Sequence, residues 1–307
     1  MKNMKTKVFF TALLLCVTIG VLADEPKALL DSIIIDQGTS MSKYEYTYNQ
    51  SNLVSSEVYF TQKSGKWKPS QKNEYTYNTM GKVETCIQYE PNVDTNGWQN
   101  NTKSEYVYNS HGDQIERTDS MWNMDSEMWL TRYQQLKTSY TYDADDRITS
   151  SIDSFLYLNI YTQVNKYTYK YDASGKLIAR ETFFWNEDLE VFGEAGKRIY
   201  TYDSDGNLIE ILTYDWDNKA ESFKKSGRYE MIYDENGYLI SELVSMWKDD
   251  GEWLLINKNT YYYHGYNTAI DYIETSGNAL STKFFRNGQL FILRDGKTYS
   301  VTGQEVK

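Results

Sequence analysis

The stretch Tyr200-Thr-Tyr202-Asp203-Ser-Asp205-Gly206-Asn-Leu208-Ile decides the reading of this chain. Tyrosines two apart point to one face of a β-strand. Asp203 to Gly206 is hairpin chemistry: Asp suits the first turn position, and Gly supplies the positive φ that ends a type I turn in a G1 bulge. That geometry sets Tyr202 opposite Leu208. Simple alternation beyond the turn places Leu208, Leu212, Tyr214 and Trp216 on the tyrosine face and Ile209 and Ile211 opposite. The copy around Tyr171 reads the same way, with Leu177, Ala179, Phe183 and Trp185 on the tyrosine face and Ile178 and Phe184 opposite.

Working outward, the pattern Tyr-x-Tyr-Asp/Asn-x-x-Gly-x-Leu recurs. The second tyrosines stand at 48, 77, 108, 142, 171, 202, 233 and 263, with gaps of 29, 31, 34, 29, 31, 31 and 30 residues. Near-equal periods of this length mark a repeat architecture. A second anchor follows: Trp122, Trp185, Trp216 and Trp247 each lie 14 residues after their tyrosine. Each unit holds two strands of about ten residues and two turns. The fold class is therefore all-β, an antiparallel meander of about eight hairpin repeats of about 31 residues. So wide a twisted sheet is expected to form a long coiled sheet or a partly closed shell.

The organisation follows: 1–23 a signal peptide, 24–41 a lead-in, 42–275 the repeats, 276–307 a C-terminal hairpin. Lys2, Lys5 and Lys7 precede an apolar run too short to span a bilayer, and Val21-Leu-Ala23 offers small residues before Asp24. Removing that leader also removes Cys16, leaving Cys86 as the one thiol, so the mature chain is expected to have no internal disulfide and no membrane span, and to be secreted or on the cell surface. The net charge is −11, and −14 without the three leader lysines, which disfavours nucleic acid and anionic lipid as partners.

The repeat unit resembles the YD repeats of the Rhs and teneurin class, and uncharacterised Tyr-rich repeat proteins exported by Bacteroidetes. The resemblance covers roughly residues 42–265 and implies long antiparallel sheets that wrap into a shell. It implies no activity, since no effector domain follows the array. The segment Phe285-Arg-Asn-Gly288 to Tyr299-Ser-Val-Thr-Gly303 and Lys307 resembles the sorting tails of type IX secretion cargo; its other reading is a hairpin capping the sheet edge.

Catalytic chemistry finds little support. His111 and His264 occupy repeat turn positions, and zinc would need several more His or Cys. Asp203-Ser-Asp205-Gly206-Asn207 lacks the ligand spacing and flanking helices of a calcium hand. The acids recur with the turns, as folding chemistry does, whereas an active site occurs once. No cofactor or metal is expected, and the chain reads as a non-enzyme. The binding candidates are Trp122, Trp185, Trp216 and Trp247, which stack on sugar rings if exposed and anchor strands if buried. The expected function is exported, non-catalytic binding of a glycan or another surface protein through an aromatic β face. The alternative is a structural envelope or shell protein.

Overall fold

The computed structural model describes residues 28–264, without the side chains of 131–134, and the backbone of 281–286, 289–294, 297–300 and 304–306. Sixteen strands follow one another as β1 (Leu30–Asp36), β2 (Met41–Tyr48), β3 (Val54–Lys63), β4 (Lys66–Tyr77), β5 (Val83–Asn92), β6 (Gly97–Tyr108), β7 (Gln114–Asn123) and β8 (Met128–Tyr142), then β9 (Ile148–Tyr157), β10 (Ile160–Tyr171), β11 (Leu177–Asn186), β12 (Val191–Tyr202), β13 (Leu208–Asp217), β14 (Ser222–Tyr233), β15 (Leu239–Trp247) and β16 (Trp253–Tyr263). Each pairs antiparallel with its chain neighbours, and β1 pairs with β16, which closes a barrel.

Closure corrects the expected long coiled sheet or partly closed shell. The closing strand, Leu30-Asp-Ser-Ile-Ile-Ile-Asp36, lies in the lead-in and carries no Tyr-x-Tyr. It pairs with β2 on one side and β16 on the other, so both edges of the repeat array are satisfied. Closure alone removes sheet edges, which otherwise template aggregation.

The barrel has two unlike rims. One carries the seven Tyr-x-Tyr turns together with the two ends of the barrel segment, where the His264 amide donates to the Leu29 carbonyl at 2.7 Å. The turn after Tyr202 matches its sequence reading. Tyr202 pairs with Leu208, the Gly206 amide donates to the Asp203 carbonyl, and Gly206 has φ 90°. The Asp203 carboxylate accepts the amides of Asp205 and Asn207 at 2.9 and 2.8 Å, an Asx turn. Asn or Asp does the same in all seven turns, from Asn49 to Asp234. The opposite rim carries the hairpins that follow the tryptophans.

The face assignment beyond the turn is corrected. After the pair Tyr202–Leu208, the next is Thr201–Glu210, so Ile209 is an extra, bulged residue. A bulge reverses the alternation downstream. Ile211 therefore joins Tyr200 on the tyrosine face, while Leu212 and Tyr214 pair with Ile199 and Lys197 on the other, with Trp216. In the preceding repeat Ala179, Phe183 and Trp185 likewise leave the tyrosine face, and Phe184 joins it. The same bulge stands after every Tyr-x-Tyr turn, and a second lies further along the sheet. Bulges bend strands and raise local twist, which a sheet needs to close.

On a closed cylinder, inner side chains converge and outer ones splay. Tyr200 and Tyr202 are half-buried while Thr201 between them is exposed, as are Thr47, Thr76 and Thr141 at the same position. The tyrosine face is accordingly the inner one. Sixteen-stranded barrels are too wide for side chains to fill. The fully buried apolar set is correspondingly small, with Ile33, Ala179, Ile211, Ile240, Leu243 and Val244 among it.

The C-terminal backbone forms a separate antiparallel sheet of β17 (Ser281–Arg286), β18 (Gln289–Arg294), β19 (Lys297–Ser300) and β20 (Glu305–Val306). A closed barrel leaves no edge for such a segment to cap. The signal-peptide reading, 1–23, lies outside the described residues.

Candidate functional site

A ring of tyrosine hydroxyls locks the Tyr rim. Tyr202 Oη donates to the Leu177 carbonyl at 2.9 Å, and Leu177 is the residue paired with the tyrosine one repeat earlier. Tyr233 does the same to Leu208, Tyr263 to Leu239, Tyr171 to Ile148, Tyr108 to Val83 and Tyr77 to Val54. Tyr48 reaches Leu30, on the closing strand β1, at 2.6 Å. One repeat deviates: Tyr140 takes the Gln114 carbonyl, and Tyr142 turns to the Asp113 carboxylate. The first residue of each odd-numbered strand thus receives a tyrosine from the next repeat. Burial pushes the Tyr44, Tyr48 and Tyr233 phenols up to about 12, and raises Tyr169 and Tyr202 as well.

The four candidate tryptophans all stand on the outer face near the opposite rim, half-buried rather than exposed. Each packs edge-to-face on the aromatic paired with it across the hairpin: Trp122 on Trp129, Trp185 on Phe192, Trp216 on Phe223 and Trp247 on Trp253, with centroids 4.9–5.1 Å apart. Lysines cover several of these rings, Lys197 over Phe223 at 6.0 Å and Lys225 over Trp247 at 4.6 Å. Edge packing plus a covering cation leaves these rings better placed as strand anchors than as open stacking platforms. The structure places the four on successive or nearby hairpins without joining them into one pocket. A shallow depression beside Trp216 is lined by Asp215, Asp217, Lys224 and Lys225.

Three features escaped the sequence reading. First, a basic residue stands five positions before every second tyrosine, from Lys43, Lys72 and Lys103 to Arg228 and Lys258. On the outer face these cations meet glutamates, as Lys103 meets Glu105 at 3.0 Å and Arg228 meets Glu210 at 3.1 Å. A fixed offset from a repeating tyrosine was the available signal. Second, the Trp rim carries most of the exposed large apolar side chains, set among charged tip residues. Of the sixteen exposed large hydrophobic side chains among the described residues, only Met80, Val107 and Ile178 stand near the Tyr rim. The others cluster at the opposite tips, around Met124, Met128, Leu158, Ile160, Leu189 and Val191. Leu158 is 76% exposed and holds φ 47° in a two-residue turn with Asn159 at φ 65°. Third, the inner face carries buried charge. Glu57 accepts from Tyr75 at 2.8 Å and Asn73 at 2.7 Å, Arg117 binds Asp119 at 2.8 Å, and Glu242 accepts from Asn259 at 2.5 Å.

His111 stacks on Tyr142 at 4.4 Å and stands 3.7 Å from Asp146, while His264 lies 3.4 Å from Asp31. Both belong to the Tyr rim. Cys86 sits on the inner face between Tyr75 and Ser104, where burial pushes its thiol up to about 11 and suppresses the thiolate. Among the described residues no group of three or more His, Cys, Asp or Glu is arranged to hold a metal ion.

Several solved structures and one family model match parts of this chain. No curated protein matches. A protein of unknown function from Bacteroides fragilis NCTC 9343 is 17% identical over 43% of this chain and 94% of its own, with a TM-score of 0.37. A porin-like protein from Bacteroides uniformis ATCC 8492 is 11% identical over 78% of this chain and 99% of its own, at 0.45. The Photorhabdus luminescens Tc holotoxin pore is 13% identical over 86% of this chain and 14% of its own, at 0.25. Residues 158–227, which run from the β9–β10 turn into β14, match the model of a family of unknown function, DUF3836.

Proposed function

We propose that this chain is an exported, non-catalytic binding barrel that presents its Trp rim to another macromolecule, most simply a surface protein. The observation that carries this reading is the asymmetry of exposed apolar side chains. They gather on the hairpin tips around 124–130, 157–161 and 189–191, on neighbouring strands of one rim. Contiguous exposed apolar surface marks interaction sites. The aliphatic character of Leu158, Ile160, Leu189 and Val191 favours a protein partner over a glycan, which the covered tryptophans serve poorly. The strained backbone at Leu158 adds a second pointer, because such strain gathers at functional positions.

The barrel is not read as lipid-facing. A spanning barrel needs an outward apolar band, and cations at mid-strand on the lipid side are costly, roughly 2–4 kcal/mol each at the midplane. Here the outer face carries Lys72, Lys103, Lys137 and Lys166 at mid-strand. Export rests on the leader of residues 1–23, and delivery to the surface on the tail of 285–307, whose deletion should leave the protein inside the outer membrane. Acrylamide quenching of tryptophan fluorescence, with a panel of polysaccharides and with surface cross-linking in producing cells, tests the reading. A cross-linked partner protein lost in Leu158→Asp and Ile160→Asp supports it. A polysaccharide-dependent blue shift would replace it with glycan binding, and neither response would favour a purely structural shell.

A further inference from the structure

The inner face contains one charge pair unlike its neighbours. Arg180 on β11 and Arg198 on β12 are direct cross-strand partners, side by side on the tyrosine face. Like charges directly opposite on paired strands destabilise a sheet. Neither guanidinium has a carboxylate within ion-pair reach among the described residues, and the Arg180 Nε is buried with no acceptor. Several of the other inner-face charges are answered. Glu57 has Tyr75 and Asn73, Arg117 has Asp119, Glu242 has Asn259, and Asp153 accepts from Thr138 at 2.8 Å. Asp153 lies further along the same face, opposite Asn165, and reaches neither arginine.

The surroundings are shaped for a small polar group. The Tyr167 ring lies 5.1 Å beneath the Arg180 guanidinium. Tyr169, bonded to Ser151 at 3.1 Å, flanks Arg180, and Thr213 stands beside Arg198. The next positions of this face are Thr182 on β11, Gly196 on β12 and Asp215 on β13, and Gly227 on β14 lies beyond Thr213, so that the floor is low at the two glycines and a carboxylate stands at its far edge. We infer that Arg180 and Arg198 together bind a tetrahedral oxyanion, a phosphate or sulfate group, on the inner wall of the barrel. A guanidinium presents five N–H donors in a fixed fork, and one fork suffices for a planar carboxylate. Two adjacent forks match a group with three or four oxygens. The group belongs either to the free ion or to an ester carried on a larger molecule.

Thermal unfolding and calorimetry of the purified full chain distinguish these cases, using inorganic phosphate, sulfate and a sugar phosphate against chloride at equal ionic strength. Phosphate or sulfate should raise the melting temperature, and Arg180→Gln and Arg198→Gln should each weaken that binding at least tenfold. Arg147→Gln, in a Tyr-rim turn where the guanidinium is already paired with Asp143, should retain it. Tighter binding of the sugar phosphate assigns the site to an ester, and equal binding assigns it to the free ion. The opposite pattern overturns the site: no anion-dependent shift in the unsubstituted protein, with Arg198→Gln more stable in every buffer because a repulsion has simply been removed.

Discussion

The two rims are built from the same repeat and behave oppositely. On the Tyr rim all seven turns share one geometry, with an Asx residue capping two amides, positive φ at the fourth position, and a tyrosine hydroxyl on the neighbouring carbonyl. On the Trp rim the hairpins differ in length and content, and the positive-φ positions fall on Ser64, Asn96, Glu127, Leu158, Glu190 or Glu221. The uniform rim holds the barrel together. The variable rim keeps an aromatic clasp beneath four of its tips and leaves the tips free to differ. A repeat protein can therefore place individuality at one end without disturbing closure at the other.

Closure gives the largest expected effect. Deleting residues 30–36 removes the one strand that is not part of the tyrosine pattern, and exposes the edges of β2 and β16 together. Loss of cooperative melting and aggregation on size exclusion are the expected outcome. A monomeric, cooperatively melting product would mean that the Tyr rim alone holds an open sheet.

Next comes alkali. The inner tyrosines are held neutral by burial, with Tyr44, Tyr48 and Tyr233 pushed up to about 12. Above the ordinary phenol value near pH 10, the unfolded chain releases protons that the folded chain retains, so stability falls as pH rises. It is expected to hold in full below about pH 10 and to fall across roughly pH 10–12. Tyr202→Phe isolates one member of the ring and should cost about 1 kcal/mol, with the Leu177 carbonyl losing its donor. Thr201→Ala, outside on the same strand, should cost much less. Equal losses in denaturant titration would remove the distinction between the faces.

How much of this was legible in the sequence follows from which interactions are local. The turn at Asp203–Gly206 and the pair Tyr202–Leu208 were legible, because an Asx cap and a positive φ are fixed within five residues. The bulge at Ile209 was not, since nothing in Leu208-Ile-Glu210 marks an extra residue, and that one slip moved Trp216 to the outer face. Closure was hidden for a similar reason: Leu30 to Asp36 closes the barrel by pairing with residues more than 200 positions away. Arg180 and Arg198 became neighbours only once register was known, whereas the row of basic residues stood in plain view at a constant offset.

A smaller effect tests the turns themselves. Gly206 has φ 90°, and an added Cβ would also lie 3.0 Å from Lys176 Nζ. Since lysine can swing aside, the cost of Gly206→Ala is mainly conformational, about 1–2 kcal/mol.

The smallest effect separates stability from binding at the other rim. Leu158 occupies positive φ in a two-residue hairpin turn whose first position favours asparagine, and it is 76% exposed. Leu158→Asn keeps the turn, relieves the left-handed strain and removes an apolar tip. A gain of about 0.5 kcal/mol in chemical denaturation is expected, because a leucine in this region is disfavoured and its side chain buries little. Partner binding should fall at the same time. A substitution that strengthens the fold while weakening an interaction is the signature of a residue kept for contact. If Leu158→Asn instead destabilises the barrel, the tip is supporting β9 and β10 from within, and the division of labour between the rims does not hold there.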